Sequence, residues 1–323
     1  MKLLEVKNLR TYFTISQGTV KAVDDVSFDL DHGEALGIVG ESGCGKTTSA
    51  LSIAKLLPKE GKIVGGEILL EGEDLAKLSD EEIQKHRWND VSICFQGAMN
   101  ALNPVMKIGE QIAEAIVLHH KSSEKDAMKK AAELLELVEI PGERINNYPH
   151  EFSGGMKQRV MIAMALACDP KIIIGDEPTT ALDVMVQAQI LNLLERLRTE
   201  FDMGFILITH DLSILAETCD KIAVMYAGRI VEKGSSEDIF QRTGHPYTKK
   251  LIKCFPDIKG KKTMMEGIPG APPNMLEIPS GCPFHPRCEY AEEVCRTSMP
   301  DNIERHQGHF VACHKWEVIR SER

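Results

Sequence analysis

The residues best suited to chemistry lie in the run Gly40-Glu-Ser-Gly-Cys-Gly-Lys-Thr47, which fits G-x-x-x-x-G-K-[ST] at every fixed position. Gly40, Gly43 and Gly45 let the backbone curl so that successive N–H groups point inward at phosphate oxygens. Lys46 supplies a full positive charge to the β- and γ-phosphates, and the Thr47 hydroxyl can ligate Mg²⁺. A second constellation is Lys171-Ile-Ile-Ile-Gly-Asp176-Glu177, an apolar run ending in two carboxylates. Beside a phosphate loop, Asp176 fits a Mg²⁺ ligand and Glu177 the base for an attacking water. A third is Phe152-Ser-Gly-Gly-Met-Lys-Gln-Arg159, whose Ser153, Gly154 and Gly155 at a helix start form a second anion-binding nest. One chain with two such nests can bind two phosphates or lend one to a neighbour. Cys44, inside the loop beside Lys46, has the setting of an ionised, reactive thiol, and equally that of a core side chain.

Each group needs an element to hold it. Residues 35–39 read as a buried strand before the loop, and residues 48–57 as a helix after it, stopped by Pro58. Residues 3–9 and 23–30 alternate as antiparallel strands, and residues 65–70 form another. Tyr12 and Phe13 lie between the first two, where an aromatic could stack on a purine or fill the core. Gln96 ends a strand over residues 91–95, and Ser79 with Glu82 forms a capping box that predicts a short polar helix. Residues 97–167 turn helical, with apolar spacing over 108–117 and 127–138. Asp183 opens a helix running to about Arg198, and His210 stands at the tip of a buried strand over residues 204–209. A hairpin around Ala227-Gly228 closes a first domain near Gly234.

The chain has 323 residues, 43% hydrophobic and 27% charged, and a net charge of −10. That length suits two domains, and the acidic balance argues against a nucleic-acid partner. No run of about 18 apolar residues occurs, and the N-terminal run has no signal-peptide core, so a cytosolic protein is expected. Of nine cysteines, four crowd into the last stretch: Cys282, Cys288, Cys295 and Cys313. Their spacing lacks the tight knuckles of structural zinc, and four soft thiolates without knuckles favour an iron–sulfur cluster. Zinc, including a mixed site with His285, His306, His309 or His314, and free thiols or disulfides stay open.

With these pieces in order, residues 1–235 resemble the nucleotide-binding subunits of ABC transporters. The resemblance implies an α/β fold: a P-loop, RecA-like core with an antiparallel β-subdomain and a helical subdomain over about 97–167. On it, residues 40–47 are the Walker A loop and residues 172–177 the Walker B strand. Residues 152–158 are the signature motif, with Phe152 where leucine is commoner and Met156 where glutamine is. Gln96 matches the Q-loop, Asp183 the D-loop and His210 the switch histidine. Phe13, with Tyr12 as near alternative, aligns with the aromatic that stacks on adenine. The implied ATP-binding set is therefore Phe13 or Tyr12, Gly40, Ser42, Gly43, Cys44, Gly45, Lys46, Thr47, Thr48, Gln96 and Asp176, with Mg²⁺ on Thr47, Gln96 and Asp176. Glu177 and His210 are the implied catalytic pair. Ser153, Gly154, Gly155 and Met156 would serve ATP bound by a second ATPase subunit, usually a paralogue, in a head-to-tail dimer. Closure on ATP would drive two transmembrane permease subunits, met around residues 97–107, and indirectly an extracytoplasmic peptide-binding protein. The subunit itself would sit at the cytoplasmic face of the membrane.

Residues 244–248, 268–273 and 281–288 resemble the tail of dipeptide and oligopeptide importer ATPases, a tail type shared with nickel importers. The resemblance implies a small C-terminal domain over 236–323 holding a [4Fe–4S] cluster on Cys282, Cys288, Cys295 and Cys313, zinc being the alternative. The rival functions are a nickel importer ATPase, a soluble ABC-type ATPase acting on DNA or ribosomes, and a metal-sensing module. One nucleotide-binding domain, no heptad run and the acidic balance weigh against the soluble ATPase.

Overall fold

The computed structural model describes residues 2–95, 97, 101–180, 182–254 and 267–321. The chain divides into two compact units, one of residues 1–30, 35–76 and 208–323 and the other of residues 31–34 and 77–207. In chain order, the first unit begins with β1 (Leu4–Ile15) and β2 (Gly18–Leu30), then β3 (Ala35–Val39) and α1 (Lys46–Ile53). It continues with β4 (Gly61–Leu70) and the two-residue β5 (Glu73–Asp74). The second unit carries β6 (Val91–Cys94), α2 (Ile108–His120), α3 (Glu124–Leu137), α4 (Gly154–Ala165), β7 (Ile172–Asp176) and α5 (Val184–Phe201). The strand β8 (Gly204–Thr209) ends it and leads back to the first unit.

The first unit resumes with α6 (Leu212–Thr218), β9 (Lys221–Tyr226) and β10 (Arg229–Ser235). Its tail holds α7 (Ser236–Gln241), α8 (Pro246–Lys253), α9 (Glu293–Thr297), β11 (Ile303–His306), β12 (His309–Val311) and α10 (Trp316–Ser321).

Two sheets build the first unit. The antiparallel one runs β2-β1-β4-β5. In β1 the inward positions shift from Leu4 and Val6 to Leu9 and Thr11, because a bulge at Asn8 (φ 48) inserts one residue. The Asn8 N–H, displaced from the ladder, donates to Ser27 Oγ at 2.8 Å. The strands of the other, eight-stranded sheet that belong to this unit run β11-β12-β10-β9-β3. β3 is parallel to β9 and buried along its whole length, as expected of a strand covered on both faces. β9 and β10 are joined at Ala227 (φ 48) and Gly228 (φ 80), the two positive φ angles of a type I′ turn.

The tail does not stand apart from these sheets. β12 pairs antiparallel with β10, Glu232 facing Val311 and Lys233 facing Phe310. Val311, Cys313 and Ile319 form a small core with Tyr290 and Trp316 against it. Glu232, wholly buried, accepts from Thr243 Oγ1, Gly244 N, His245 N and His309 Nε2 at 2.7 to 3.1 Å. Four donors on one carboxylate replace the water it has lost.

In the second unit β6 and β7 are parallel, Val91 facing Ile172 and Cys94 facing Gly175, with β8 beyond β7. The helices α2, α3 and α4 fill the chain between β6 and β7. Helix α3 is capped by Ser123 and buries Ala127, Ala131, Leu134 and Leu135, one stripe at helical spacing. The Ser79–Glu82 box forms as expected, but a 3₁₀ turn over Ile83–Lys85 follows it rather than an α-helix. Only Ile83 in that turn is buried, too little apolar surface to hold a longer helix.

Candidate functional site

The phosphate loop leaves β3 and enters α1 through Gly45, which caps the helix at φ 107. A Cβ there would lie 2.2 Å from the Ala22 carbonyl, so only glycine fits. Gly43 (φ 79) differs: a Cβ would meet nothing within 4 Å, so the loop is open on that side. The Lys46 ammonium reaches back over the loop, donating to Gly40 O at 2.6 Å and Glu41 O at 3.2 Å. Ser42 and Thr47 are exposed beside it, and Thr48 is half-buried. An open curl, an ammonium and an exposed hydroxyl fit a Mg²⁺-bound polyphosphate.

Cys44 is buried rather than activated. Burial raises its thiol above the ordinary value, and the pull of nearby Lys46 does not reverse that. Of the two settings left open by the sequence, the core side chain is the one formed.

Tyr12 and Phe13, neighbours on β1, point to opposite faces and are both half-buried. The Tyr12 hydroxyl donates to Asp24 at 2.6 Å, and burial with that bond pushes its pKa up to about 12. The Phe13 ring covers Gly61, where a Cβ would come within 2.7 Å of it. His210 is exposed at the first position after β8.

In the second unit, Asp176 is the buried last residue of β7 and Glu177 follows at φ 50. That left-handed angle is uncommon for a residue with a side chain, and Glu177 shares it with turn and bulge residues such as Ala227 and Asn8. Thr180 Oγ1 donates to Glu177 Oε2 at 3.0 Å. The nest at α4 also forms: Ser153 is its N-cap and accepts from Met156 N. Phe152 is buried under the Arg144 guanidinium, 4.3 Å from the ring centroid. Gly155 lies against Val186, which a Cβ would meet at 2.6 Å. Asp183 caps α5, accepting from Val186 N at 3.0 Å. Gln96, with residues 98–100 of the segment expected to meet a permease, lies outside the described residues.

Comparison with known proteins decides the family. Residues 23–180 match the ABC transporter family, and residues 231–295 match the family described as oligopeptide/dipeptide transporter, C-terminal region. The chain is 48% identical to the oligopeptide transport ATP-binding protein OppD of Escherichia coli K12, covering 97% of this chain and 93% of that one. It is also 48% identical to the dipeptide transport ATP-binding protein DppD of Bacillus subtilis 168, over 97% and 94% of the two chains. The chain belongs to the ATP-binding proteins of ABC transporters. Among solved structures, it superposes on the dimeric post-hydrolysis state of the ATP-binding cassette MJ0796 bound to ADP and Pi, with TM-score 0.65 and 28% identity. That match covers 72% of this chain and 98% of the cassette. The fold is the ABC cassette with mixed α/β sheets.

The cysteine tail is the main correction. Cys282, Cys288, Cys295 and Cys313 do converge, lining one cavity with His245, His285, His314, Phe284 and Tyr290. That cavity measures about 10 Å³, which is at most room for a water molecule. Among the described residues no group of three or more His, Cys, Asp or Glu side chains is arranged to hold a metal ion. Burial raises the thiols of Cys282, Cys288 and Cys313, the first up to about 11 and the last up to about 12. Neither the [4Fe–4S] cluster nor a zinc or mixed Cys/His site is supported, and the relatives are described as ATP-binding proteins.

Motif reading missed Glu41, Tyr247 and Arg287, which tie the tail to the phosphate loop across sequence separations of 206 and 246 residues. The available signal was that Tyr247 and Arg287 fall inside the tail segments 244–248 and 281–288 that carry the resemblance.

Proposed function

We propose that the chain is the ATP-hydrolysing, energy-coupling subunit of an importer for dipeptides or oligopeptides. The observation carrying this reading is that a phosphate loop and a peptide-transporter C-terminal region occur in one chain matching peptide-transport ATP-binding proteins along nearly its whole length. The Walker A amides and Lys46 hold the β- and γ-phosphates. Phe13, with Tyr12 as the alternative, stacks on adenine. Thr47, Asp176 and Gln96 would hold Mg²⁺, which supplies charge neutralisation on the phosphates. Glu177 takes a proton from the attacking water, and His210 contacts the γ-phosphate.

Ser153, Gly154, Gly155 and Met156, with Asp183 nearby, serve nucleotide held by a second ATPase subunit of the same kind. Val184 and Met185, at 80% and 72% exposure beside Asp183, support that reading, since such apolar side chains gain by being covered. Residues 97–107 meet the permease, supported by Val105 at 79% exposure next to buried Leu102. No helix among the described residues is long and apolar enough to cross a membrane, and two permease subunits supply the pore. The subunit is peripheral at the cytoplasmic face, and peptide reaches the pore through an extracytoplasmic binding protein. Residues 1–235 form the nucleotide-binding region and residues 236–323 its C-terminal extension.

Co-expression with candidate membrane subunits tests this. The chain is expected to co-purify with them and to hydrolyse ATP faster when peptide-loaded binding protein is added. Purification alone, with ATP hydrolysis indifferent to membrane subunits and peptide, would overturn the transport reading.

A further inference from the structure

Within the first unit the C-terminal segment grips the phosphate loop from behind. Arg287 Nη1 and Nη2 donate to Glu41 Oε2 and Oε1 at 2.6 and 3.0 Å, a two-pronged ion pair. The Tyr247 hydroxyl accepts from the Glu41 N–H at 2.9 Å. Tyr247 is fully buried and the Arg287 side chain only 5% exposed. The fork is itself fixed before it meets Glu41: Nε donates to Pro269 O at 2.8 Å and Nη1 to Tyr226 OH at 3.3 Å. The rings of Tyr226 and Phe284 flank it, each centroid 5.9 Å from the guanidinium carbon.

Two consequences follow for the loop. The Glu41 N–H is committed to Tyr247, so the phosphate-facing amides are those after it. The Glu41 carboxylate is a negative charge inside a loop whose ligand is an anion, and Lys46 Nζ lies only 3.2 Å from the carbonyl of the same residue. Left unpaired, that carboxylate would compete for Lys46 and repel phosphate.

We propose that Arg287 is a positioning residue for the phosphate loop, holding and neutralising Glu41 so that the loop and Lys46 stay set for the phosphates of ATP. The inference rests on the ATP-binding reading and adds to it a reason for the tail. Lysine would keep the charge and lose the fork.

The test is the dissociation constant of Mg-ATP for the full chain, with folding followed by thermal melting. Arg287→Gln is expected to weaken binding about tenfold, the size of one lost charged contact. Glu41→Gln/Arg287→Gln is expected to recover to within about threefold of wild type, because the unpaired charge is gone. Arg287→Lys should fall between wild type and Arg287→Gln. A double variant as weak as the single one, or failure of both to fold, would show a purely structural arginine and overturn the proposal. Unchanged affinity in Arg287→Gln would also overturn it, leaving the functional reading intact. A wild-type chain that does not bind Mg-ATP would instead sink that functional reading.

Discussion

Cys44 has the two neighbours that ordinarily ionise a thiol, a helix start and a lysine, yet it is 5% exposed and its pKa is raised. Iodoacetamide applied to the native chain at neutral pH should therefore leave Cys44 unmodified by mass spectrometry and modify it after denaturation. Native labelling would contradict the burial argument. His245 is the other side chain whose setting has a measurable consequence. Fully buried, it accepts from Tyr247 N at 3.1 Å, and desolvation lowers its pKa to about 3. The unfolded chain binds this proton below the ordinary imidazole value near 6.5 while the folded chain does not, so stability is lost as pH falls from there toward about 3. Each unit of that window contributes about 1.4 kcal/mol. His245→Asn, which keeps an N-cap, should flatten the acid side of the stability–pH profile. An unchanged slope would place the acid sensitivity elsewhere.

At the scale of elements, the strand–loop–helix around Lys46, the carboxylates ending β7 and the nest opening α4 were legible because each is local: burial, glycine spacing and capping lie within a dozen residues. The hairpin at Ala227-Gly228 was legible for the same reason. The tail was not. Its strands β11 and β12 are short, and what fixes them is β10 and the buried Glu232, a register that sequence pattern does not carry. The cysteines were misread from their soft thiolates, their spacing without zinc knuckles and the resemblance of the tail, since convergence in space does not supply room for a metal. Within the loop the two glycines separate by sterics. Gly45→Ala meets the Ala22 carbonyl as well as an unfavourable φ, whereas Gly43→Ala meets only the φ. Gly45→Ala should lower the melting temperature more and abolish Mg-ATP binding, and Gly43→Ala should cost about 1–2 kcal/mol of stability. Equal effects would mean that the close approach to Ala22 does not constrain the loop.

Over the whole molecule, the C-terminal extension is part of the first unit and lies against the edge of β10 and behind the phosphate loop, through Glu232 and Glu41. A nucleotide-binding chain with a family-specific tail makes sense as one partner in an assembly whose work is done on membrane subunits. ATP hydrolysed at this chain's site moves peptide. The most direct measurement is peptide uptake into proteoliposomes holding the assembled importer, with Mg-ATP supplied on the side that carries this subunit. Wild type should accumulate dipeptide or oligopeptide, and Glu177→Gln should bind Mg-ATP normally while transport falls at least about a hundredfold, as expected on losing a general base. Peptide uptake at the wild-type rate by the Glu177→Gln assembly, or ATP hydrolysis without any peptide movement in wild type, would contradict it.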